Sequence, residues 1–77
     1  MSHEEKVKKL LKDILDVEDQ ALTPTALFRK DLGATSIDFV EFVAALENEF
    51  NVSISDEEAE KLRSIEDTVA YLKTKTA

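Results

Sequence analysis

The sequence predicts an all-α fold, a four-helix bundle with a long first loop and a short third helix. Apolar residues recur at helical spacing along most of the chain. At each of the four predicted helix starts a serine or threonine is followed by an acidic residue three positions later, which is the pattern of a helix N-terminus. Only Gly33 and Pro24 interrupt the chain. Its 77 residues are therefore expected to form a single domain, residues 1–77.

The first helix is predicted from about His3 to Asp16. Ser2 and Glu5 have the spacing of a capping box, in which two side chains bond the backbone N–H groups that the first turn leaves free. Between positions 4 and 12 the segment carries six charged residues, so neither a signal peptide nor a membrane span is expected here. The residues of its apolar face are Val7, Leu10, Leu11, Ile14 and Leu15.

A long connection, from Val17 to Thr35, follows the first helix. Loops of this length inside a small domain are typically functional or partly structured. Thr23 and Pro24 have the pattern of a cap followed by proline, so a single helical turn is predicted from about Pro24 to Phe28. Gly33 is expected to end the loop in a tight turn. The residues expected to pack this loop against the bundle are Leu22, Leu27, Phe28 and Leu32.

The second helix is predicted from Ser36 to Phe50, with Thr35 as its cap and Asp38 as the partner of that cap. One stripe along this helix is apolar at helical spacing and is expected to face the core. This core stripe consists of Phe39, Phe42, Val43, Leu46 and Phe50.

Two further helices complete the predicted bundle. The third opens at Ser55 and is expected to end at about Leu62, and the fourth opens at Ser64 with Asp67 three residues later. Residues 52–54 alternate between apolar and polar, as a strand does, but they have no partner strand and are predicted to be a loop against the core. The apolar residues of the fourth helix are Ile65, Val69 and Leu72.

The net charge of −7 is concentrated in the middle of the chain. Residues 31–67 contain eleven acidic side chains and only Lys61 and Arg63 as basic ones. Nucleic acids require basic neutralisation of their phosphates, so we expect no nucleic-acid partner and instead a protein partner with a basic patch. An acidic chain of this size is expected to be a monomer without membrane insertion. The absence of cysteine implies no oxidising compartment, so the expected location is the cytoplasm.

No group of residues suits catalysis or metal binding. The only histidine, His3, lies in the first helical turn, and the chain lacks the G-x-S-x-G elbow of serine hydrolases. The spacing of a calcium loop is not met around Asp31 or Asp56. The sequence therefore predicts that the protein is not an enzyme and holds no metal.

Residues 31–41 are Asp-Leu-Gly-Ala-Thr-Ser-Ile-Asp-Phe-Val-Glu. This segment resembles the attachment site of acyl carrier proteins, whose pattern is D-L-G-x-D-S-L-D-x-V-E, and the similarity continues almost without interruption to Leu72. The resemblance implies a bundle of acyl-carrier type. It also implies that a phosphopantetheinyl transferase attaches a 4′-phosphopantetheine arm to Ser36. The arm would carry acyl groups as thioesters to fatty-acid, lipid or secondary-metabolite enzymes.

One alternative to this role follows from the same residues. Ser36 could simply belong to a helix cap, as Ser55 and Ser64 do, and the chain would then be a non-carrier interaction module of the same fold. The resemblance favours the carrier, although Thr35 and Ile37 stand where the family usually has aspartate and leucine. This departure indicates a specialised carrier.

The second helix has a second, smaller apolar strip beside its core stripe. It consists of Ile37, Val40 and Ala44. By geometry alone the strip is as well explained as a flank of the core, but in the family this helix is the docking surface for the transferase and the acyl-processing enzymes. The carboxylates expected to meet basic patches on these partners are Asp38, Glu41, Glu47, Glu49, Asp56 and Glu60.

Aromatic bulk lies close to the predicted attachment point, at Phe39 and Phe42. The resemblance implies that an acyl chain can fold back between the helices. We therefore expect these large side chains to alter the length or shape of the acyl group that the bundle shelters.

Overall fold

The computed structural model describes residues 2–76, in which the regular elements are helices. In these residues α1 spans His3–Leu15, a 3-10 helix spans Asp19–Ala21, α2 spans Ser36–Phe50, α3 spans Asp56–Ala59 and α4 spans Ile65–Lys75. Helix α1 packs against both α2 and α4. The predicted four-helix fold, with its long first loop and short third helix, is confirmed.

The ends of α1 and α2 follow from their capping residues. The predicted capping box of Ser2 and Glu5 is present, and α1 ends one residue before the predicted Asp16. Asp16 itself adopts the left-handed conformation at φ 53°, and its backbone N–H donates to the Lys12 carbonyl at 3.0 Å. Helix α2 has the predicted bounds and ends in the same way, with Asn51 at φ 55°.

Helix α3 is shorter than predicted, because it ends at Ala59 instead of about Leu62. The backbone N–H groups of Lys61 and Leu62 donate to carbonyls only three residues earlier, at 3.1 and 3.0 Å. These bonds tighten the backbone into a turn, as is common where a helix ends. The turn places the Leu62 side chain in the core, where it is buried.

The helical turn predicted from Pro24 to Phe28 is wrong. Residues 24–25 form a turn outside any helix, Leu27 is paired with Ser64 in an isolated antiparallel bridge, and residues 28–31 form a second turn. The backbone N–H of Phe28 donates to the Arg63 carbonyl at 2.9 Å, so this part of the loop is bonded to the segment before α4. Gly33 adopts φ 70°, which confirms the predicted turn.

This pairing also changes which loop residues are buried. Leu22 and Phe28 enter the core as predicted, and Leu32 is half-buried against it. Leu27, also predicted to pack against the bundle, is 38% exposed, so that prediction is wrong. The short 3-10 helix between α1 and this segment was not predicted.

The core lies between the long helices and the first loop. From the predicted stripe of α2, Phe42 and Leu46 are buried, whereas Phe39, Val43 and Phe50 are half-buried. Residues 52–54 form the predicted loop. The buried hydroxyl of Thr68 donates to the Ser64 carbonyl at 2.9 Å, so it is satisfied inside the core. Among the described residues, no helix has the length and apolar character needed to cross a membrane.

An ion pair ties α3 to the end of α4. Lys75 Nζ lies 3.2 Å from Glu58 Oε2, and Glu58 Oε1 accepts a hydrogen bond from the backbone N–H of Ser55 at 3.0 Å. The Ser55 hydrogen bond, followed by the contact with Lys75, lowers the pKa of Glu58 from its ordinary value of 4.5 to about 2.

Glu58→Gln is expected to make the stability of the protein less sensitive to acid. A carboxyl group with a lowered pKa stabilises the fold above its unfolded pKa, and this contribution is lost as the pH falls through the folded pKa. For Glu58 this loss of stability occurs in the pH window from 4.5, the ordinary pKa, down to about 2, the pKa in the folded protein. Thermal melting followed from neutral pH into this window measures the effect.

The glutamine in this variant keeps an acceptor for the Ser55 N–H, so the substitution removes the charge without removing the cap. Glu57 is exposed on the same helix, and Glu57→Gln is the matched control that should keep the wild-type acid dependence. Equal acid dependence in the two variants would contradict the role assigned to Glu58.

Candidate functional site

Ser36 is the first residue of α2 and is exposed to solvent. The cap position belongs to Thr35, whose hydroxyl accepts a hydrogen bond from the Asp38 backbone N–H at 3.1 Å. The Asp38 carboxylate in turn accepts from the Thr35 backbone N–H at 3.0 Å. This capping box is complete without Ser36, and no hydrogen bond of the Ser36 hydroxyl is found among residues 2–76.

The backbone that leads into Ser36 is fixed by the core. After the left-handed turn at Gly33, the backbone N–H of Ala34 donates to the Phe28 carbonyl at 2.8 Å, and the Ala34 side chain is buried. The chain then leaves the core within two residues. Ser36 is therefore held at a fixed position on the surface, at the positive end of the α2 dipole.

The predicted apolar strip of α2 faces solvent. Ile37 is 72% exposed and Val40 is 67% exposed, and Ala44 is exposed as well. Together with Leu27, Ile37 and Val40 are the exposed large hydrophobic residues of the described chain. The strip begins directly beside Ser36 and continues along the helix for two turns, as its spacing predicts.

The predicted carboxylates fall into two groups. Glu41, Glu49, Asp56 and Glu60 are exposed. Asp38 and Glu47 are half-buried and already accept backbone hydrogen bonds: Asp38 in the cap of α2, and Glu47 from the Ile54 N–H at 2.8 Å. The second bond fastens the loop after α2, a structural role that the sequence pattern did not indicate.

A groove of about 310 Å³ lies near the start of α2 and contains residues that the sequence pattern did not single out. Its apolar wall consists of Phe28, Phe39, Ala59 and Leu62, and its charged residues are Arg29, Arg63 and Glu60. We call it the arginine groove. Phe39 is three residues after Ser36, so the two side chains lie on neighbouring turns of one helix face. The one available signal was Arg63, a basic residue in the acidic middle of the chain.

Known proteins match both the sequence and the fold. Residues 5–72 match a family described as the phosphopantetheine attachment site. The chain is 43% identical to the acyl carrier protein of Nitratidesulfovibrio vulgaris over 75 residues, which cover 97% of this chain and 99% of that protein. The chain belongs to the acyl carrier protein family.

Two further matches cover most of the carrier. It is 51% identical to the acyl carrier protein of Akkermansia muciniphila over 71 residues, which cover 92% of this chain and 89% of that protein. Its fold matches the solution structure of a protein from Anaplasma phagocytophilum, described as an acyl carrier protein, with a TM-score of 0.89. That match has 32% identity and covers 96% of this chain and 88% of the other.

Family membership confirms the predicted acyl carrier role and the covalent 4′-phosphopantetheine. The non-carrier module is not favoured, and the relatives are carriers rather than catalysts. The residues around Ser36 also fit a phosphate ester, because the hydroxyl is exposed and unbonded in the described chain. The first N–H groups of a helix, which lack intrahelical partners, favour an anion there.

Proposed function

We propose that Ser36 is the residue that receives the 4′-phosphopantetheine arm. The observation that carries this proposal is that Thr35, and not Ser36, caps α2. Ser36 keeps an exposed hydroxyl with no hydrogen bond in the described chain. In a serine that caps its helix, esterification would weaken the oxygen as an acceptor and crowd the capping bond. At Ser36 the modification breaks no hydrogen bond of the fold.

The arm supplies a thiol that holds acyl groups as thioesters, and the chain itself, which has no cysteine, offers no thiol. The part played by the protein is to position the arm. The bond from the Ala34 N–H to the Phe28 carbonyl and the capping box at Thr35 fix the backbone on either side of Ser36. The N–H groups of the first turn of α2 stabilise the phosphate charge.

The proposed role requires no catalysis by the carrier. Its one histidine, His3, packs its ring against that of Phe50 at a centroid distance of 5.3 Å, and Phe50 is the last residue of α2. Fourteen residues of helix separate Phe50 from Ser36, which is roughly 21 Å. Serine hydrolysis needs a base within hydrogen-bond reach, so His3 cannot activate Ser36.

We further propose that the carrier docks to the transferase and to acyl-processing enzymes through α2. The exposed apolar strip beside Ser36, together with the exposed carboxylates Glu41 and Glu49 on α2 and Asp56 and Glu60 in and after α3, suits a partner that has an apolar spot inside a basic rim. Charge steers the encounter, whereas exposed ion pairs add little affinity, so the complexes form and separate quickly. Asp38 and Glu47 contribute to docking through the electrostatic field of their negative charges and not through direct contacts, because their carboxylate oxygens already accept backbone hydrogen bonds.

Truncation of the strip, in the double variant Ile37→Ala/Val40→Ala, is expected to weaken transferase binding by roughly tenfold. Each buried methylene is worth about 0.8 kcal/mol, and partial burial of the lost groups gives at least about 1.4 kcal/mol. The Kd for the transferase, measured by titration, checks this. Leu27→Ala is the matched control, because Leu27 is exposed but lies outside α2.

Two results would contradict the docking proposal. One is a Leu27→Ala variant that weakens binding as much as the double variant does. The other is a Kd that does not rise with salt, because exposed charges are screened beyond about 8 Å at physiological ionic strength.

The interior of the bundle leaves little room for an acyl group. The rings of Phe28 and Phe42 meet edge to face at 5.1 Å, and those of Phe28 and Phe39 lie 6.4 Å apart. The space that remains between these rings and α1 is too small for a water molecule. We propose that these rings limit the length or shape of the acyl group sheltered inside the bundle.

We also propose that the carrier acts as a single domain, residues 1–77, and as a monomer in the cytoplasm. In this role it has no catalytic activity, does not bind nucleic acid and does not insert into a membrane. The charge of residues 31–67, eleven acidic side chains against two basic ones, supports a protein partner over a nucleic acid.

Mass spectrometry tests the carrier function directly. The protein is incubated with coenzyme A and a broad-specificity phosphopantetheinyl transferase, and the intact mass is measured. We expect an increase equal to one phosphopantetheine. An unchanged mass with an active transferase would contradict the proposal and support the unmodified interaction module.

A further inference from the structure

The charges of the arginine groove set it apart from the rest of the surface near Ser36. Residues 31–67 have two basic side chains, and one of them, Arg63, lines this groove. Arg29 lines it from the first loop. Neither arginine takes part in an ion pair among the described residues. The charged residues that line the groove are therefore two arginines and a single acidic residue, Glu60.

The two arginines are held on neighbouring stretches of backbone. Leu27 and Ser64 form the antiparallel bridge, and the Phe28 N–H donates to the carbonyl of Arg63 itself at 2.9 Å. A further bond, from the Glu66 N–H to the Pro24 carbonyl at 2.9 Å, fastens the same two segments. The arginine pair is thus built into the fold, although the residues are 34 positions apart in the chain.

The groove has an apolar wall and opens to solvent near the start of α2. Phe39 is half-buried, and its outer side contributes to the groove one turn from Ser36. The groove offers about 310 Å³ of space, which is enough for a short acyl chain. The interior, by contrast, is filled by the aromatic rings.

We propose that the arginine groove binds the distal end of the carrier's own acyl cargo and favours cargo that ends in a carboxylate. This inference rests on the proposed attachment at Ser36. The apolar wall accommodates the methylene groups, and the guanidinium groups of Arg29 and Arg63 bond the terminal carboxylate, which Arg recognises through paired N–H donors. A cargo that ends in a methyl group gains only the apolar contact.

The test compares two cargoes of equal length on the same protein. The apo protein is loaded by the transferase from octanoyl-coenzyme A or from suberoyl-coenzyme A, whose acyl group has a carboxylate at its far end. NMR then records the side-chain Nε–H signals of Arg29 and Arg63 and the contacts between acyl protons and the Phe39 ring. We expect a ratio of docked to free cargo about fivefold higher for suberoyl than for octanoyl, since two exposed ion pairs contribute modestly.

Arg29→Ala/Arg63→Ala is expected to remove the difference between the two cargoes. Lys30→Ala is the matched control, because Lys30 is an exposed cation next to Arg29 that does not line the groove, and it should keep the difference. Equal docking of both cargoes, or a difference that survives in the double arginine variant, would overturn the proposal. Intact mass confirms loading beforehand, so a failure to load would count against the site at Ser36 and not against the groove.

Discussion

Ser36→Ala is expected to abolish phosphopantetheine attachment completely while leaving the fold intact. The variant removes the hydroxyl proposed to receive the arm, and Ser36 is exposed with no hydrogen bond in the described chain to lose. Alanine is also a better helix former than serine, so α2 is not weakened. Intact mass after incubation with coenzyme A and transferase measures attachment, and circular dichroism measures the fold.

Ser55 and Ser64 provide the matched controls for this experiment. Each caps a helix, since the Ser55 hydroxyl accepts from the Glu58 N–H at 3.1 Å and the Ser64 hydroxyl from the Asp67 N–H at 3.2 Å. Replacing either by alanine should lower the free energy of unfolding by about 1 kcal/mol but leave attachment unchanged. If the Ser36→Ala variant still gained the mass of the arm, another residue would be the attachment point.

Helix α2 could be predicted to the residue because three local signals coincide there. The cap of Thr35 with Asp38, the apolar stripe and the end at Phe50 all lie within one stretch of sequence. The segment from Pro24 to Phe28 also follows a cap signal, Thr23 before proline, yet it forms no helix. Its backbone bonds to the Arg63 carbonyl and pairs with Ser64, and tertiary contacts of this kind leave no local pattern.

The same distinction holds for the candidate site. Ser36 and the strip of Ile37 and Val40 could be predicted because a motif and a helical period are properties of neighbouring residues. The arginine groove could not, because Arg29 and Arg63 come together only through the bond between the loop and the segment before α4. For Glu47 the spacing predicted a place on α2 but not the bond to Ile54, which depends on the path of the following loop.

Phe42→Ala is expected to lower the free energy of unfolding by about 3–5 kcal/mol, the cost of truncating a buried phenylalanine. Phe42 is fully buried in the core, and its ring packs edge to face on Phe28 at 5.1 Å. A chain of this length has a total stability of about 4–12 kcal/mol, so the variant should lose much or all of its folded population. Urea unfolding followed by circular dichroism gives the free energy.

The Phe39→Ala variant distinguishes the effect of burial on stability from the effect of losing an aromatic ring. It makes the same deletion on the same helix, but Phe39 is half-buried, and its ring lies farther from Phe28, at 6.4 Å. A residue that already exposes part of its ring loses less transfer free energy and leaves no closed cavity, so the loss should be clearly smaller than for Phe42→Ala. If both variants lost the same free energy of unfolding, Phe42 would not be the centre of this core. Half-buried ring contacts at the edge of the bundle would then stabilise the fold as much as buried ones.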